Sequence, residues 1–273
     1  MQNSKLELLN PITPSNIRLA LFDFDGTLSL IRKGWQEIMI TFMVDTLSEL
    51  NSGETAEEIF SVVENFVVRL TGKQTIYQAI QLADEIRKRG GTPLEPIEYK
   101  KEYHSRLWTL IQDRVEGLRS GTEKPVDWLL PGSIDFLDAL RSRGVKLFLA
   151  SGTDAEYVID EVNLLGLTPY FSEGIHGAQD DYHKFSKKIL IDQLFKTYQL
   201  QGPDMVAFGD GYVEIEDTKQ RGGIAIGIAS NEESGYGVNE WKRNRLIQAD
   251  ADCIIPNFET GKELLPILFP VDK

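Results

Sequence analysis

Cysteine is almost absent. Cys253 stands alone among 273 residues, which excludes an intramolecular disulfide and suits a reducing compartment. It sits in Ala251-Asp252-Cys253-Ile254-Ile255-Pro256, the pattern of a strand, where it is expected to pack as a small hydrophobe. Histidine is scarce too. His176 and His183 have no cysteine or second histidine at ligand spacing, so a His/Cys metal site is not expected. No apolar run reaches the roughly 18 residues that a membrane helix needs. Met1 to Ser15 lacks the basic-then-apolar pattern of a secretion signal, and a cytoplasmic location is expected. Positive charge is in deficit: 29 Lys and Arg stand against 42 Asp and Glu, a formal charge of −13. That balance argues against broad binding to nucleic acid or to anionic membranes. It also requires that any phosphate-bearing substrate find positive charge inside its own site. Low-complexity segments and solenoid-period repeats are absent as well.

What is present points to one stretch, Ile17-Arg18-Leu19-Ala20-Leu21-Phe22-Asp23-Phe24-Asp25-Gly26-Thr27-Leu28. Leu19 to Phe22 has no polar alternation and reads as a strand buried on both faces. Asp23 and Asp25 follow at its carboxyl end, where open α/β sheets place their chemistry. Alternate strand residues share a face, so the two carboxylates can point together. Their repulsion would be relieved by a hard cation such as Mg²⁺. One could attack an electrophile while the other moves protons. Gly26 permits a sharp turn. An Asp-Gly turn alone is common; Asp-x-Asp-Gly-Thr directly after a buried strand is far more specific. It resembles the haloacid dehalogenase-like (HAD) superfamily of phosphohydrolases, whose first motif is Asp-x-Asp-x-Thr.

Beyond the motif the period changes. Trp35 to Leu50, Ile59 to Leu70, Ile76 to Ile86 and Tyr99 to Val115 carry apolar residues at helical spacing, and no convincing strand interrupts them. This block, about 31–124, is expected to be an all-helical cap domain inserted after the first strand. Ser120 to Pro125 reads as the return hinge. From Leu130, strands (145–150, 174–177, 205–208, 224–229, 253–255) alternate with helices (133–140, 155–165, 186–198). That rhythm predicts an α/β fold, a doubly wound parallel sheet of Rossmann-like type, built from 1–30 and 125–273. Residues 1–16 read as a polar leader.

A phosphoryl-transfer site needs positioning and charge neutralisation. Ser151-Gly152-Thr153 follows one strand and precedes a helix, which offers a hydroxyl and backbone N–H groups to an oxyanion; a plain N-cap by Ser151 or Thr153 is the simpler alternative. Tyr182 to Lys188 contains three lysines. The resemblance implies Lys187 as the phosphate-site lysine, because its distance of 23 residues from Asp210 is close to the superfamily's spacing; Lys184, which could sit just ahead of the helix, is the alternative. Asp210, in Gly209-Asp210-Gly211, supplies a third acid. Glu214 supplies a fourth, where the superfamily usually has Asp, and would meet the metal or orient Lys187. Glu216 and Asp217 are expected to be solvated.

The resemblance implies roles. Asp23 would form an aspartyl-phosphate. Asp25 would protonate the leaving oxygen, then deprotonate water, with its backbone carbonyl on the metal. Ser151, Gly152 and Lys187 would bind the phosphoryl group. Asp23, Asp25, Asp210 and Glu214 would form the Mg²⁺ site. Dehalogenases of the superfamily lack the second Asp, so Asp25 argues for phosphate chemistry. Thr71-Gly72-Lys73-Gln74-Thr75 is not a P-loop, because Gln follows the lysine and no glycine lies five residues before Gly72. Gly72 and Lys73 are nevertheless candidates for reading the substrate, as are Arg32 and Lys33; Trp35 is expected mainly to pack. Tyr236 to Arg245 is locally basic and reads as a surface helix start without evident function. The expected activity is Mg²⁺-dependent hydrolysis of a small phosphate monoester, phosphoglycolate- or sugar-phosphate-like, without a nucleic-acid or membrane partner. A phosphomutase, a phosphonatase using Lys33 or Lys73, and an idle binding domain are the alternatives.

Overall fold

Leu19–Phe22 is buried on both faces and lies at the heart of a seven-stranded sheet. The computed structural model describes residues 6–179 and 181–270. In chain order the strands are β1 (Glu7–Leu8), β2 (Leu19–Phe22), β3 (Lys146–Asp154), β4 (Ile175–Ala178), β5 (Met205–Gly209), β6 (Ile224–Ile228) and β7 (Cys253–Ile255). They lie side by side as β1-β7-β6-β5-β2-β3-β4, parallel except for β1 against β7. Phe22 is level with Leu149 of β3 and Phe208 of β5. This register brings Asp23, Ser151 in the last part of β3, and Asp210 just past β5 to one sheet edge.

Four helices follow β2: α1 (Trp35–Ser48), α2 (Ala56–Leu70), α3 (Ile76–Lys88) and α4 (Pro96–Ser120). They pack on one another, α1 on α2 and α4, and α3 on α2 and α4. The apolar stripes explain this, since Phe42, Leu47, Val63, Val67, Leu82 and Ile111 are all buried. Thr55 and Glu58 close a capping box at the start of α2. The helices α5 (Ser133–Arg141), α6 (Ala155–Leu164), α7 (Lys187–Thr197), α8 (Tyr212–Gln220), α9 (Glu240–Gln248) and α10 (Gly261–Leu268) alternate with the remaining strands. Ala20 and Phe22 pack to one side of the sheet and Leu19 and Leu21 to the other, so both faces are covered. Phe22 stacks on Phe208 with ring centroids 4.6 Å apart. The α/β fold class expected from the sequence is borne out. No helix among the described residues is long and apolar enough to cross a membrane.

Three expectations need correction. The supposed leader contains β1, whose Glu7 and Leu8 pair with Ile254 and Cys253; residues 1–5 lie outside the described residues. Such a strand has no pattern of its own, because it exists only through its neighbour's edge. The β3 strand runs on through Ser151, Gly152 and Thr153, with Asp154 opposite Ala178. These residues therefore do not open α6, and Asp154 occupies the cap position. Phe60, on the expected stripe of α2, is largely exposed. Cys253 packs as expected: it is buried, and burial pushes its thiol up to about 12.

Candidate active site

Asp23 begins where β2 ends, and its Oδ1 accepts hydrogen bonds from the Phe24 N–H (2.8 Å) and from Lys187 Nζ (2.8 Å). Lys187, the first residue of α7, also reaches Glu214 Oε2 at 2.7 Å. Glu214 is fixed in turn, because its Oε1 accepts from the Gly211 N–H at 2.9 Å. All three side chains are buried. Burial pushes the Asp23 carboxyl well above its ordinary range, against the pull of Lys187 and with added repulsion from Glu214 and Asp210. Burial disfavours the Lys187 ammonium, but Asp23 and Glu214 outweigh it and hold the lysine protonated.

Asp25 is held differently. Its Oδ2 accepts from Ser151 Oγ (3.1 Å) and Thr153 Oγ1 (2.9 Å). Its Oδ1 is buried without a hydrogen-bond partner among the described residues and lies 3.7 Å from Arg32 Nε. Arg32 grips Glu161 of α6 through Nε and Nη2.

Asp210 follows β5. Its backbone N–H donates to Thr27 Oγ1 (3.1 Å), and its Oδ2 meets Lys242 Nζ at 2.7 Å. Lys242 also contacts Glu232 Oε1 (2.6 Å) and Ser230 Oγ (3.0 Å), and Ser230 donates to the Gly26 carbonyl (2.6 Å). Gly26 has φ +74, and a Cβ there would run into the Asp210 carboxylate and the Lys242 ammonium. Both the turn and the crowding require glycine.

The donor set suits a hard divalent cation. Asp23, Asp210 and Glu214 each offer an oxygen within 4.8 Å of the others'. Six carboxylates (Asp23, Asp25, Glu161, Asp210, Glu214, Glu232) share this network with three cations (Arg32, Lys187, Lys242). The excess of negative charge would be offset by such an ion.

A cleft opens over these groups, lined from the core by Asp23, Asp25, Ser151 and Lys187 and from above by Lys73 of the α2–α3 loop and Tyr103 of α4. The loop joining α2 to α3 closes on the core through glycines. A Cβ on Gly152 would lie 2.6 Å from the Lys73 carbonyl, and one on Gly211 would lie 3.2 Å from Gly72 Cα.

The sequence-predicted residues Asp23, Asp25, Ser151, Gly152, Lys187, Asp210, Gly72 and Lys73 all line this cleft. Glu214 lies behind Lys187. Lys184 is 73% exposed and pairs with Asp181. Arg32 lines the cleft and Lys33 does not, being directed at Glu233 and the Trp128 ring. Trp35 both packs on the core and lines the cleft. Tyr236 to Arg245, read as a surface helix start without evident function, does open a helix at Glu240, but Lys242 within it is buried against Asp210. Helical period could not reveal this, because only the fold of the 229–242 segment over the first turn turns that residue inward. Glu161 and Glu232 also carried no local signal.

Asp217 is half-buried rather than solvated, while Glu216 is exposed. Burial raises its carboxyl from 3.8 to about 6, reinforced by Glu214, Glu216 and Asp192 and opposed by Lys188. Its penalty to the fold is absent below pH 3.8, grows as pH rises and is complete above about 6. Asp217→Asn should therefore stabilise the protein by about 1 kcal/mol above pH 6, after allowance for solvent screening, and by nothing near pH 3.5. Thermal melts at both pH values check this; an equal shift at each would mean that charge is not the cause.

Comparison with known proteins gives the family. Residues 17–216 match the model of the family described as haloacid dehalogenase-like hydrolase. The phosphoglycolate phosphatase of Escherichia coli O157:H7 is 27% identical over 258 residues, 93% of each chain. Among solved structures, a predicted phosphoglycolate phosphatase from Haemophilus somnus 129PT superposes with a TM-score of 0.58 at 18% identity, covering 92% of this chain and 98% of that one. A β-phosphoglucomutase from Clostridium difficile gives 0.56 at 14%, covering 92% and 97%. At those identities the structures speak for the fold alone. The family match spans the Asp-x-Asp motif, the inserted helices and Asp210-to-Glu214, so the chain belongs to the haloacid dehalogenase-like hydrolases and is an enzyme of their phosphohydrolase type.

Proposed function

We propose that this hydrolase cleaves a small phosphate monoester through a phosphorylated Asp23, in a site that takes Mg²⁺. The observation that carries the reading is the contrast between the two aspartates. Asp23 has Oδ1 occupied by Phe24 N–H and Lys187, which leaves Oδ2 for attack. Asp25 has Oδ2 anchored by two hydroxyls and a buried Oδ1 without a partner among the described residues, as a group that exchanges a proton should.

In the first step Asp23 Oδ2 bonds to phosphorus, the bond to the leaving oxygen breaks, and Asp25 gives that oxygen its proton. In the second, Asp25 takes a proton from water, whose oxygen bonds to phosphorus. The bond to Asp23 breaks, and phosphate leaves. Lys187, tied to Glu214, sets a positive charge beside the transferring group, and Ser151 and the backbone near Gly152 complete its cradle. Asp23, Asp210 and the Asp25 carbonyl would hold the ion; Glu214, with both oxygens engaged, is better suited to orienting Lys187. When bound, the ion supplies charge neutralisation for the acids and the phosphoryl oxygens.

Residues 31–124 act as a cap domain over a core of 1–30 and 125–273, and the contacts of Gly72 and Lys73 with the core would exclude bulk water from the cleft. The substrate is a small phosphorylated metabolite, and phosphoglycolate belongs on the panel because a relative carries that name.

The test is phosphate release from phosphoglycolate, sugar phosphates and an aryl phosphate, with Mg²⁺ and with EDTA. Release only with Mg²⁺ is expected. Mg²⁺ at about 100 times its dissociation constant should also stabilise the fold by about 2.7 kcal/mol, read as a rise in Tm. Absence of release from every ester, with Mg²⁺ present, would overturn the reading.

A further inference from the structure

Gln78, on α3, lines the cleft yet is only 3% exposed. Its Nε2 donates to the Leu70 carbonyl at 3.3 Å, which fixes the amide and makes Oε1 its free end. That Oε1 is buried and has no hydrogen-bond partner among the described residues. A buried acceptor left unpaired is costly, so a donor is wanted there. The positive charge around the leaving-group end is mostly committed already. Arg32 is neutralised by Glu161 and Lys100 by Asp154. His104 stacks on Tyr157, and burial keeps it below its ordinary value. Of the lysines and arginines that line the cleft, only Lys73 has no ion pair among the described residues, and it lies over the Tyr77 ring. Asp154 adds an acceptor, because Lys100 occupies its Oδ1 and no described residue bonds its Oδ2.

On the phosphatase reading above, we infer that the leaving alcohol of the substrate bears further hydroxyl groups, one of which donates to Gln78 Oε1. A short polyol or sugar monophosphate satisfies that wall. A carboxylate such as glycolate's brings no donor to Gln78 and meets the Asp154 carboxylate with one uncommitted cation to receive it. The cleft is modest in size, about 90 Å³, in keeping with a small leaving group. Gln78 is thus a specificity residue, and the relatives' phosphoglycolate name does not carry over to this cleft.

Three esters of similar size separate the cases: glycerol 3-phosphate, propyl phosphate, which lacks its hydroxyls, and phosphoglycolate. In the wild type, kcat/KM for glycerol 3-phosphate should exceed the other two by about tenfold or more. Gln78→Leu should erase most of the glycerol-to-propyl ratio, because both esters keep the same reacting centre. A wild type that prefers phosphoglycolate, or treats glycerol and propyl phosphate alike, overturns the inference. So does a Gln78→Leu enzyme in which the ratio survives. If that variant fails to fold, the wild-type ratios decide alone. Hydrolysis of an aryl phosphate by the wild type, measured alongside, tells a wrong specificity from a wrong reaction: with it, only the hydroxyl assignment falls; without it, the phosphatase reading falls first.

Discussion

Asp23→Asn is expected to lower kcat/KM for any phosphate ester by about 10⁴-fold or more, the scale at which removal of an enzyme nucleophile acts. An amide oxygen cannot displace the leaving group, and no neighbour can replace it. Asp25 is tethered by Ser151 and Thr153, and Glu214 is spent on Lys187 and Gly211. The fold should not suffer. Burial and the nearby Glu214 and Asp210 already penalise a charge at Asp23, and a neutral isostere removes that penalty while Lys187 keeps Glu214. The Tm should stay level or rise. Phosphate release and a calorimetric melt on the same sample give both answers. Activity within tenfold of wild type in a well-folded Asp23→Asn protein would remove Asp23 from the mechanism.

Lys187→Met should do the opposite to stability. It leaves Asp23 and Glu214 buried together without their shared cation. Removing one partner from a buried pair costs about 3–5 kcal/mol, which for a chain of this size means a Tm lower by roughly 10 °C. Activity should also fall by about 10²–10³-fold, because the charge facing the transferring phosphoryl group is gone. The double variant Lys187→Met with Glu214→Gln separates the two effects. It relieves the repulsion, so much of the Tm should return, but not the activity. A single variant that melts like wild type would contradict the buried triad. Recovery of activity in the double variant would show that Lys187 serves the fold alone. Lys242 stands in the same relation to Asp210 and Glu232.

The sequence by itself determined the elements whose signal is local. The run Leu19 to Phe22 has to be a buried strand because nothing polar interrupts it, and Asp23 and Asp25 follow at its end by covalent adjacency. The helical stripes of α1 to α4 and the strand-helix rhythm after Leu130 are likewise periodicities of neighbouring residues. Lys187 and Asp210 could be picked out by comparing their order and spacing with the superfamily that the first motif resembles. What only the tertiary structure decided depends on partners far away in the chain. The two-residue β1 exists because β7 offers it an edge. Ser151 to Thr153 bulge out of register with β4, and pairing resumes only at Asp154 opposite Ala178. Lys242 lies 32 residues after Asp210 in a stretch that looks basic and exposed, and Glu161 lies 129 after Arg32. No pattern within either segment encodes the pairing. Each charge can be buried only where folding brings an opposite charge to meet it, and that condition is satisfied in three dimensions, not along the chain.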